Sequence, residues 1–243
     1  MKEIPILEFR NINKSFKDKT VLKDLDLSVY SKDILALAGK SGSGKSTLMK
    51  VMIGFYKPDS GSIIYKGKNI TDNVNELRKV VGFTTQENSF YENLTLIENL
   101  RYYAKLYDIH KKDLNSYLSS ILKSVELYNS KDVLAGKVSG GMKRRLDFAI
   151  SLVHEPDILV LDEPTTGLDP LLVKSFWDII KKFRDKGKTI IVTSHIFEEL
   201  DENCKRICVL DKGSFTEVGE IDKIKSKYNA AKLSEAFEKI VSK

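Results

Sequence analysis

The sequence predicts an α/β protein with a mainly parallel central sheet, an N-terminal antiparallel β subdomain and an inserted helical subdomain. Three observations lead to this fold class. Short β-branched runs separated by turn signals come first, and apolar residues then recur every three or four positions from residue 95 to residue 154. After that, strand-like and helix-like segments alternate, which is typical of parallel sheets with right-handed crossovers.

The N-terminal subdomain is predicted from the early β-like runs. They are "LEFRNI", "VLKDLDLSV", "DILALAG" and "GSIIYKG", separated by turn signals such as "KDK" and "SKD". Together they indicate an antiparallel β layer that feeds a central sheet. The run "DILALAG" leads directly into a glycine-rich loop and the helix-like "KSTLMKVMIG", which makes a strand–loop–helix unit.

The middle of the chain, at about residues 87–154, is predicted to be a helical subdomain inserted into the core. Its helical segments are "LTLIENLRYYAKLY", "DLNSYLSSILKSVEL" and "GGMKRRLDFAISLV". Strands and helices follow in "DILVLDE", "LLVKSFWDIIKKFRDK", "KTIIVTS" and "IFEELDEN". The hairpin-like "RICVLDKGSFTEVG" and two short helices close the chain, the last one at residues 231–243.

The composition predicts a cytoplasmic globular chain. Of 243 residues, 42% are hydrophobic and 30% are charged. The longest apolar run, "ILALA", is far shorter than the roughly 18–20 residues that cross a bilayer, and residues 1–8 lack a signal-peptide core. The net charge of +6 lies largely on lysine-rich helix faces, so we expect no nucleic-acid partner. Cys204 and Cys208 are expected to be buried thiols rather than metal ligands.

A complete phosphate-binding loop is present in "GKSGSGKS" at residues 39–46. It matches G-x-x-x-x-G-K-[ST] and lies between a buried strand and a helix. The glycines at 42 and 44 let the backbone wrap closely around phosphates, which face the amides of residues 42–47 and the positive end of the helix. Lys45 can reach the β- and γ-phosphates, and Ser46 can ligate Mg²⁺. The predicted nucleotide contacts are Gly39, Lys40, Ser41, Gly42, Ser43, Gly44, Lys45, Ser46 and Thr47.

Two acids at the end of the apolar strand in "ILVLDEP" indicate which reaction the bound nucleotide undergoes. Open α/β sheets place their ligands at the carboxyl ends of the strands. Asp162 is placed to hold Mg²⁺ through its water shell, and Glu163 to orient and deprotonate an attacking water. Such a base argues against a small-molecule kinase, which must keep water away from the γ-phosphate. The guanine-specific pattern Asn-Lys-x-Asp is absent, because Phe16 stands at the aspartate position of "NKSF".

A second anion site is predicted at Ser139, Gly140 and Gly141, which open the basic helix in "AGKVSGGMKRRL". Their amides and hydroxyl lie at the positive end of a helix dipole. The first loop already holds the phosphates of one nucleotide. A second cradle makes sense if it covers the γ-phosphate of a nucleotide on another subunit. Two chains head to tail would then enclose two ATP molecules in an isologous interface.

The ordered set "GKSGSGKST", "FTTQENSFYENLT", "VSGGMKRRL", "ILVLDEP", "TGLDP" and "TSH" resembles the motifs of the ATP-binding subunit of ABC transporters, over nearly the whole chain. The resemblance implies an ABC transporter ATP-binding domain at residues 3–230 and an ATPase that uses ATP and Mg²⁺. It also implies separate membrane permease subunits, one helix of which would enter a groove near residues 86–99. The chain would then lie peripherally on the inner face of the cell membrane.

The resemblance also assigns roles to single residues. Phe16 matches the aromatic residue that stacks on adenine, and a core phenylalanine at a strand end is the alternative. Gln86 matches the residue that reaches Mg²⁺ and the attacking water, and His195 matches the switch histidine that contacts the γ-phosphate. Asp169 matches the loop residue that contacts the opposite subunit. The implied catalytic set is Glu163, His195, Gln86 and Lys45.

The signature "VSGGM" departs from the family pattern at two positions, where Val138 replaces leucine and Met142 replaces glutamine. Methionine cannot supply the hydrogen bonds of glutamine, although the serine and glycine amides remain. "SGGMKRRL", "TTGLDP" and "LSEAFEKIV" are most similar to the branch whose separate permeases export drugs, lipids, polysaccharides or sodium. The alternative is a soluble ABC-type ATPase without a permease, such as an iron–sulfur cluster assembly ATPase. Pairing with a second copy or with a homologous ATPase subunit also stays open.

Overall fold

The computed structural model describes residues 4–242, and its N-terminal part is a four-stranded antiparallel sheet in the order β2-β1-β4-β5. A tight turn joins the first two strands, since Phe16 pairs with Lys19 and Lys17 adopts a left-handed φ of 52°. This confirms the predicted antiparallel layer for three of the four runs, whereas "DILALAG" lies in the central sheet between parallel neighbours. The strands are β1 Pro5–Phe16, β2 Lys19–Tyr30, β4 Ser60–Tyr65 and β5 Lys68–Asn69.

The second sheet has six strands in the order β10-β9-β3-β8-β7-β6. All neighbouring pairs are parallel except β9 and β10, which form the predicted antiparallel hairpin. The mainly parallel core is therefore confirmed. The strands are β3 Ile34–Gly39, β6 Val81–Thr84, β7 Ile158–Asp162, β8 Thr189–Thr193, β9 Arg206–Asp211 and β10 Ser214–Glu220.

The parallel strands are buried on both faces because the core lies in two layers. Along β3, Leu35 and Leu37 join the hydrophobic cluster shared with the N-terminal sheet, whereas Ala36 and Ala38 join the cluster on the opposite face. Successive side chains of a strand point to opposite faces, so continuous apolar runs such as "ILALA" are expected here. The central sheet therefore divides the molecule into two packed halves.

Three α-helices and two short 3-10 helices lie between β6 and β7, in the segment predicted to be an inserted helical subdomain. Thr95 and Glu98 form a capping box at the first of these helices, Asp113 caps the second, and Ser139 caps the third through the amide of Met142. The predicted domain limits stay predictions, and the limits at residues 3 and 243 lie outside the described residues. The helices are α3 Leu96–Leu106, α4 Leu114–Ser124 and α5 Gly140–Ser151.

The remaining α-helices lie outside the inserted segment, and most of them follow a strand of the central sheet. Phe148 on α5 contacts Phe176 and Phe183, both on the long helix α6, through edge-to-face ring pairs. No helix within residues 4–242 is long and apolar enough to cross a membrane. These helices are α1 Lys45–Met52, α2 Val74–Val80, α6 Pro170–Asp185, α7 Phe197–Asn203, α8 Ile221–Lys227 and α9 Leu233–Val241.

Both cysteines are buried free thiols, as the sequence predicts. Cys208 lies inside β9 with no exposed surface, and its Sγ donates to the carbonyl oxygen of Ala36. Burial raises the pKa of the Cys208 thiol to about 12 and also raises the pKa of the Cys204 thiol. Both side chains therefore stay protonated at neutral pH.

We predict that Gly82→Ala destabilises the fold. A Cβ atom at Gly82 in β6 would lie 2.3 Å from the carbonyl oxygen of Ser151, so α5 would have to move away from the sheet. Overpacking of this kind costs about 1–3 kcal/mol in the free energy of unfolding, which urea titration measures. The control is Gly219→Ala, because the nearest atom to its Cβ is Ile224 Cδ1 at 3.8 Å. Equal stability of the two variants would contradict the described packing of α5.

Candidate active site

The phosphate loop begins where β3 ends and leads directly into α1. Gly42 and Gly44 adopt φ values of 76° and 109°, which L-residues with side chains rarely reach. A Cβ atom at Gly39 would lie 2.3 Å from the carbonyl oxygen of Leu210, so only glycine fits there. Gly44 is the N-cap of α1, and its lack of a side chain leaves the amides of the first turn free of side-chain capping. Such a helix start binds anions.

Lys45 is folded onto the loop that carries it. Its Nζ donates to the carbonyl oxygens of Gly39 and Lys40, at 2.6 and 3.0 Å. Burial lowers the pKa of Lys45, and the negative charges of Glu163 and Asp162 oppose this effect. The lysine therefore places a partly desolvated cation between the phosphate loop and the two acids.

Asp162 ends β7 and is hydrogen-bonded to the neighbouring strand. The Thr193 hydroxyl, at the end of β8, donates to Asp162 Oδ1 at 2.7 Å. Burial raises the pKa of Asp162, while this hydrogen bond acts in the opposite direction and the charge of Glu163 adds to the rise. The same hydroxyl accepts from the Glu163 amide at 3.0 Å. Thr193 thus holds the side chain of Asp162 and the backbone of Glu163.

Glu163 is the centre of the contacts among the predicted catalytic side chains. Its backbone has a left-handed φ of 48°, a strained conformation for a residue with a side chain. Its Oε1 lies 2.6 Å from His195 Nε2, and its Oε2 lies 3.5 Å from Gln86 Nε2. Glu163 is 13% exposed, whereas His195 is 63% exposed, so the histidine covers the carboxylate from the solvent side.

These groups share one cavity of about 390 Å³. It contains residues from the phosphate loop, both acids, the glutamine and the histidine, although these segments are up to 154 positions apart in the sequence (195 − 41). Gly39, Lys40 and Ser43 of the predicted nucleotide contacts do not line it, and Lys40 Nζ instead donates to the carbonyl of Val241 at 2.7 Å. The lining residues are Val21, Ser41, Gly42, Gly44, Lys45, Ser46, Thr47, Met49, Gln86, Asp162, Glu163 and His195.

Phe16 lies at the end of β1, outside this cavity. It is 39% exposed, which excludes the alternative of a core phenylalanine. Its ring contacts Tyr56 edge to face with the centroids 5.0 Å apart, and Lys14 Nζ lies 5.5 Å from the ring centroid. The ring is therefore held from one side by neighbours and open to solvent on another.

The second predicted anion site also lies outside the cavity. Within the described residues, a Cβ atom at Gly140 would meet nothing within 4 Å, so this part of the helix start faces open space. A Cβ atom at Gly141 would lie 2.9 Å from Leu172 Cδ1 on α6. Asp169, the N-cap of α6, accepts from the amides of Leu171 and Leu172 at 3.0 and 3.1 Å. The start of α5, which carries the signature, therefore lies next to the start of α6, which carries Asp169.

The two departures in the signature have a packing explanation. Val138 and Met142 are partly buried and pack against the hydrophobic cluster beneath α5. A thioether adapts its shape to such a surface, whereas an amide buried there would need hydrogen-bond partners. Met142 therefore contributes packing where glutamine would contribute polar contacts.

Sequence reasoning missed the contacts that fasten the Gln86 loop to α5. Arg144 donates to the carbonyl oxygen of Gln86 at 2.6 Å. Asp147, which is only 1% exposed, accepts from the Ser89 amide and hydroxyl at 2.8 and 2.6 Å. An acid on the apolar face of a helix was the one available signal, because a buried carboxylate needs donors.

These features define a P-loop nucleotide hydrolase: a glycine loop between a parallel strand and a helix, facing two acids on a neighbouring strand end. The sequence matches the ABC transporter family over residues 22–166. The chain belongs to this family, and as an ATP-binding subunit of an ABC transporter it is an ATPase.

Individual relatives agree with this assignment. Over 207 residues the chain is 36% identical to the Nod factor export ATP-binding protein I of Burkholderia lata, covering 85% of this chain and 68% of that protein. A solved ATP-binding subunit of an ABC transporter has a TM-score of 0.85 at 27% identity, covering 97% of this chain and 99% of that one. The cbiO1 protein of Clostridium perfringens, described as part of the ABC transporter complex cbiONQ, has a TM-score of 0.84 at 26% identity, covering 98% and 95%.

We predict that Gly44→Ala weakens ATP binding at least about tenfold, the effect of 1.4 kcal/mol. The substitution forces a side chain into a φ of 109° and places Cβ 3.0 Å from the carbonyl oxygen of Val21, so the loop must change shape. Titration with a fluorescent ATP analogue measures the dissociation constant, and thermal unfolding checks that the variant is folded. Gly219→Ala serves again as the matched control. Unchanged affinity in Gly44→Ala would show that the loop shape is not required.

Proposed function

We propose that this chain powers export through separate transmembrane subunits, by closing with a second ATPase subunit around ATP and opening after hydrolysis. The observation that carries the proposal is the contact of Glu163 with both His195 and Gln86 in the cavity that contains the phosphate loop. A carboxylate held in this way is suited to act on a water beside the γ-phosphate. The names of the relatives supply the direction of transport.

ATP binding rests on the phosphate loop and on Phe16. The amides at the start of α1 bind the phosphates, and Lys45 exchanges its carbonyl partners for phosphate oxygens, which restores a charge-assisted bond to a partly buried cation. Phe16 offers a half-exposed ring, which suits stacking on adenine. These roles place the nucleotide across the two sheets of the fold.

The donor set of the cavity fits Mg²⁺. Ser46, Asp162 and Gln86 line the same space and each carries a side-chain oxygen, the ligand type that Mg²⁺ prefers together with phosphate and water. When bound, Mg²⁺ would neutralise charge on the transferred phosphate. The Thr193 hydroxyl orients the Asp162 carboxylate for this task.

Hydrolysis depends on the side chains around Glu163. Glu163 accepts a proton from the attacking water, Gln86 helps to orient that water, and His195 contacts the γ-phosphate. The contact of His195 with Glu163 keeps the exposed histidine close to the reacting groups. General-base assistance of this kind is typically worth about 10²–10⁴ in rate.

The second anion site gives a reason for dimerisation. Ser139 and Gly140 lie at the open start of α5 and do not line the cavity of their own chain. In a head-to-tail pair they would cover the γ-phosphate of the partner's nucleotide, so ATP would join the two subunits. The geometry suits a second copy of this chain and also a homologous ATPase subunit.

A groove beside the Gln86 loop supports a membrane partner. A cavity of about 340 Å³ lies between the core and the inserted helices, with Phe55, Arg78, Phe83, Tyr103 and Tyr107 in its lining. Such an apolar and aromatic lining suits a short amphipathic helix of a permease. Because Ser89 also lines this groove, a helix bound there would lie next to the loop that carries Gln86. The chain would then lie on the inner face of the membrane.

We predict that Glu163→Gln lowers the ATPase rate at least about 100-fold and leaves ATP binding intact. The amide keeps the shape of the carboxylate but cannot accept a proton from water. Phosphate release measures the rate, and a fluorescent ATP analogue measures binding. Glu238→Gln on the exposed face of α9 is the matched control. Normal hydrolysis by Glu163→Gln would contradict the assignment of the base.

We further predict that the Glu163→Gln protein dimerises when Mg-ATP is added, and that Ser139→Tyr in the same background prevents this. The tyrosine ring would block the start of α5 without touching the phosphate loop. Light scattering coupled to size exclusion measures the mass, and Ser116→Tyr at an exposed position of α4 is the control. An ATP-bound protein that stays monomeric would mean that identical chains do not form the pair.

A further inference from the structure

Glu199 on α7 is a buried acid that no part of the proposed mechanism uses. It is 8% exposed, and its Oε2 accepts two hydrogen bonds. One comes from the Thr165 hydroxyl at 2.7 Å, and the other comes from Trp177 Nε1 at 2.8 Å. Both donors are themselves about 98% buried. A largely buried acid with two buried donors anchors the segments that it joins, because removing the acceptor leaves both donors unpaired.

The three residues belong to three segments that each carry a residue with a predicted role in hydrolysis or in subunit contact. Thr165 lies two positions after Glu163, in the turn that follows β7. Trp177 lies on α6, which begins at the Asp169 cap. Glu199 lies four positions after His195, on the helix that follows the switch loop. One carboxylate oxygen therefore joins the chain segments that carry the base, the subunit-contact loop and the histidine.

The position of His195 depends on contacts such as this one. The sheet holds the chain only as far as Thr193, the last residue of β8. Beyond it, α7 has seven residues, and its N-cap Ile196 makes no side-chain capping hydrogen bond among the described residues. Helices this short are not stable alone and take their place from tertiary packing. Glu199 and Leu200 are the buried residues of α7. Through its hydrogen bond from Thr165, Glu199 links α7 to the segment that carries Glu163.

We propose that Glu199 is a positioning residue for ATP hydrolysis, which holds the switch histidine against Glu163 by tying α7 to Thr165 and Trp177. The inference rests on the proposed roles of Glu163 and His195. Without the carboxylate, α7 loses its hydrogen bonds to Thr165 and Trp177, although Leu200 and the contact of Phe197 with Phe237 still pack it. The start of α7 then shifts enough to lengthen the 2.6 Å contact between His195 and Glu163. Small displacements of reacting groups cost much more in rate than in nucleotide binding, since ATP is held mainly by the phosphate loop.

The test compares Glu199→Ala with Glu199→Gln in the full chain. Glutamine keeps a carbonyl oxygen that can accept from the same two donors, whereas alanine leaves both donors unpaired. We expect Glu199→Ala to lower kcat roughly 10- to 100-fold with KM for ATP little changed, and Glu199→Gln to restore most of the rate. The adjacent Glu198 is exposed, so Glu198→Ala is the matched control.

Trp177 provides an optical readout of the same contact. It is the only tryptophan in the 243 residues, so tryptophan emission, excited selectively over that of the 10 tyrosines, reports on the partner of Glu199. We expect the emission spectrum to change in Glu199→Ala and to be close to that of the natural protein in Glu199→Gln. If Glu199→Ala does not fold, Thr165→Val and Trp177→Phe each remove one donor, and each is expected to lower kcat several-fold.

Three results would overturn the inference. They are a normal kcat in Glu199→Ala, an equal loss in Glu199→Gln and Glu199→Ala, or a parallel loss of ATP affinity and thermal stability that marks a purely structural role. Failure of the proposed function is seen separately, in Glu163→Gln. If that variant hydrolyses ATP normally, the catalytic roles fail whatever the Glu199 variants do.

Discussion

Parallel pairing of β3 with β8, and of β8 with β7, is the constraint on which the active site depends. The three strands run side by side in the same direction, so their carboxyl ends meet at one edge of the sheet. Each end continues into a segment that lines the candidate site: the phosphate loop after β3, Asp162 and Glu163 at the end of β7, and His195 after β8. Backbone hydrogen bonds of the sheet thereby bring together groups that are far apart in sequence, and only short loops have to be shaped separately.

Within that frame, Lys45 is held by partners that a nucleotide can replace, because it donates to two carbonyl oxygens of the phosphate loop. Glu163 and the mostly exposed His195 instead contact each other. Asp162 keeps a permanent partner in Thr193, although burial raises its pKa. Exchangeable partners lower the cost of accepting a highly charged ligand, because few strong bonds must be broken. The permanent hydrogen bonds of Thr193 preserve the backbone geometry while Lys45 exchanges its partners.

The sequence predicts what is local or periodic. The phosphate loop, the strand that ends in two acids and the amphipathic inserted helices are contained in short runs, and the family resemblance orders them. Contacts between distant side chains are not contained in such runs. Asp147 stands on the apolar face of its helix, but its partners lie in another segment, and Glu199 in "IFEELDEN" looks like one acid of an exposed face. Both are buried with donors from other segments. Burial of a polar group depends on what packs above it, which only the assembled fold determines.

The two natural cysteines are inaccessible as well as protonated. A thiol must be exposed and ionised to attack a maleimide, and Cys204 and Cys208 are neither. One cysteine introduced on the surface would therefore be the dominant reactive thiol of the folded chain. Spin labels or fluorophores could be attached on the phosphate loop side and near the start of α5 in the otherwise natural sequence. Distances between two molecules would then be measurable through a full ATP cycle without a cysteine-free background.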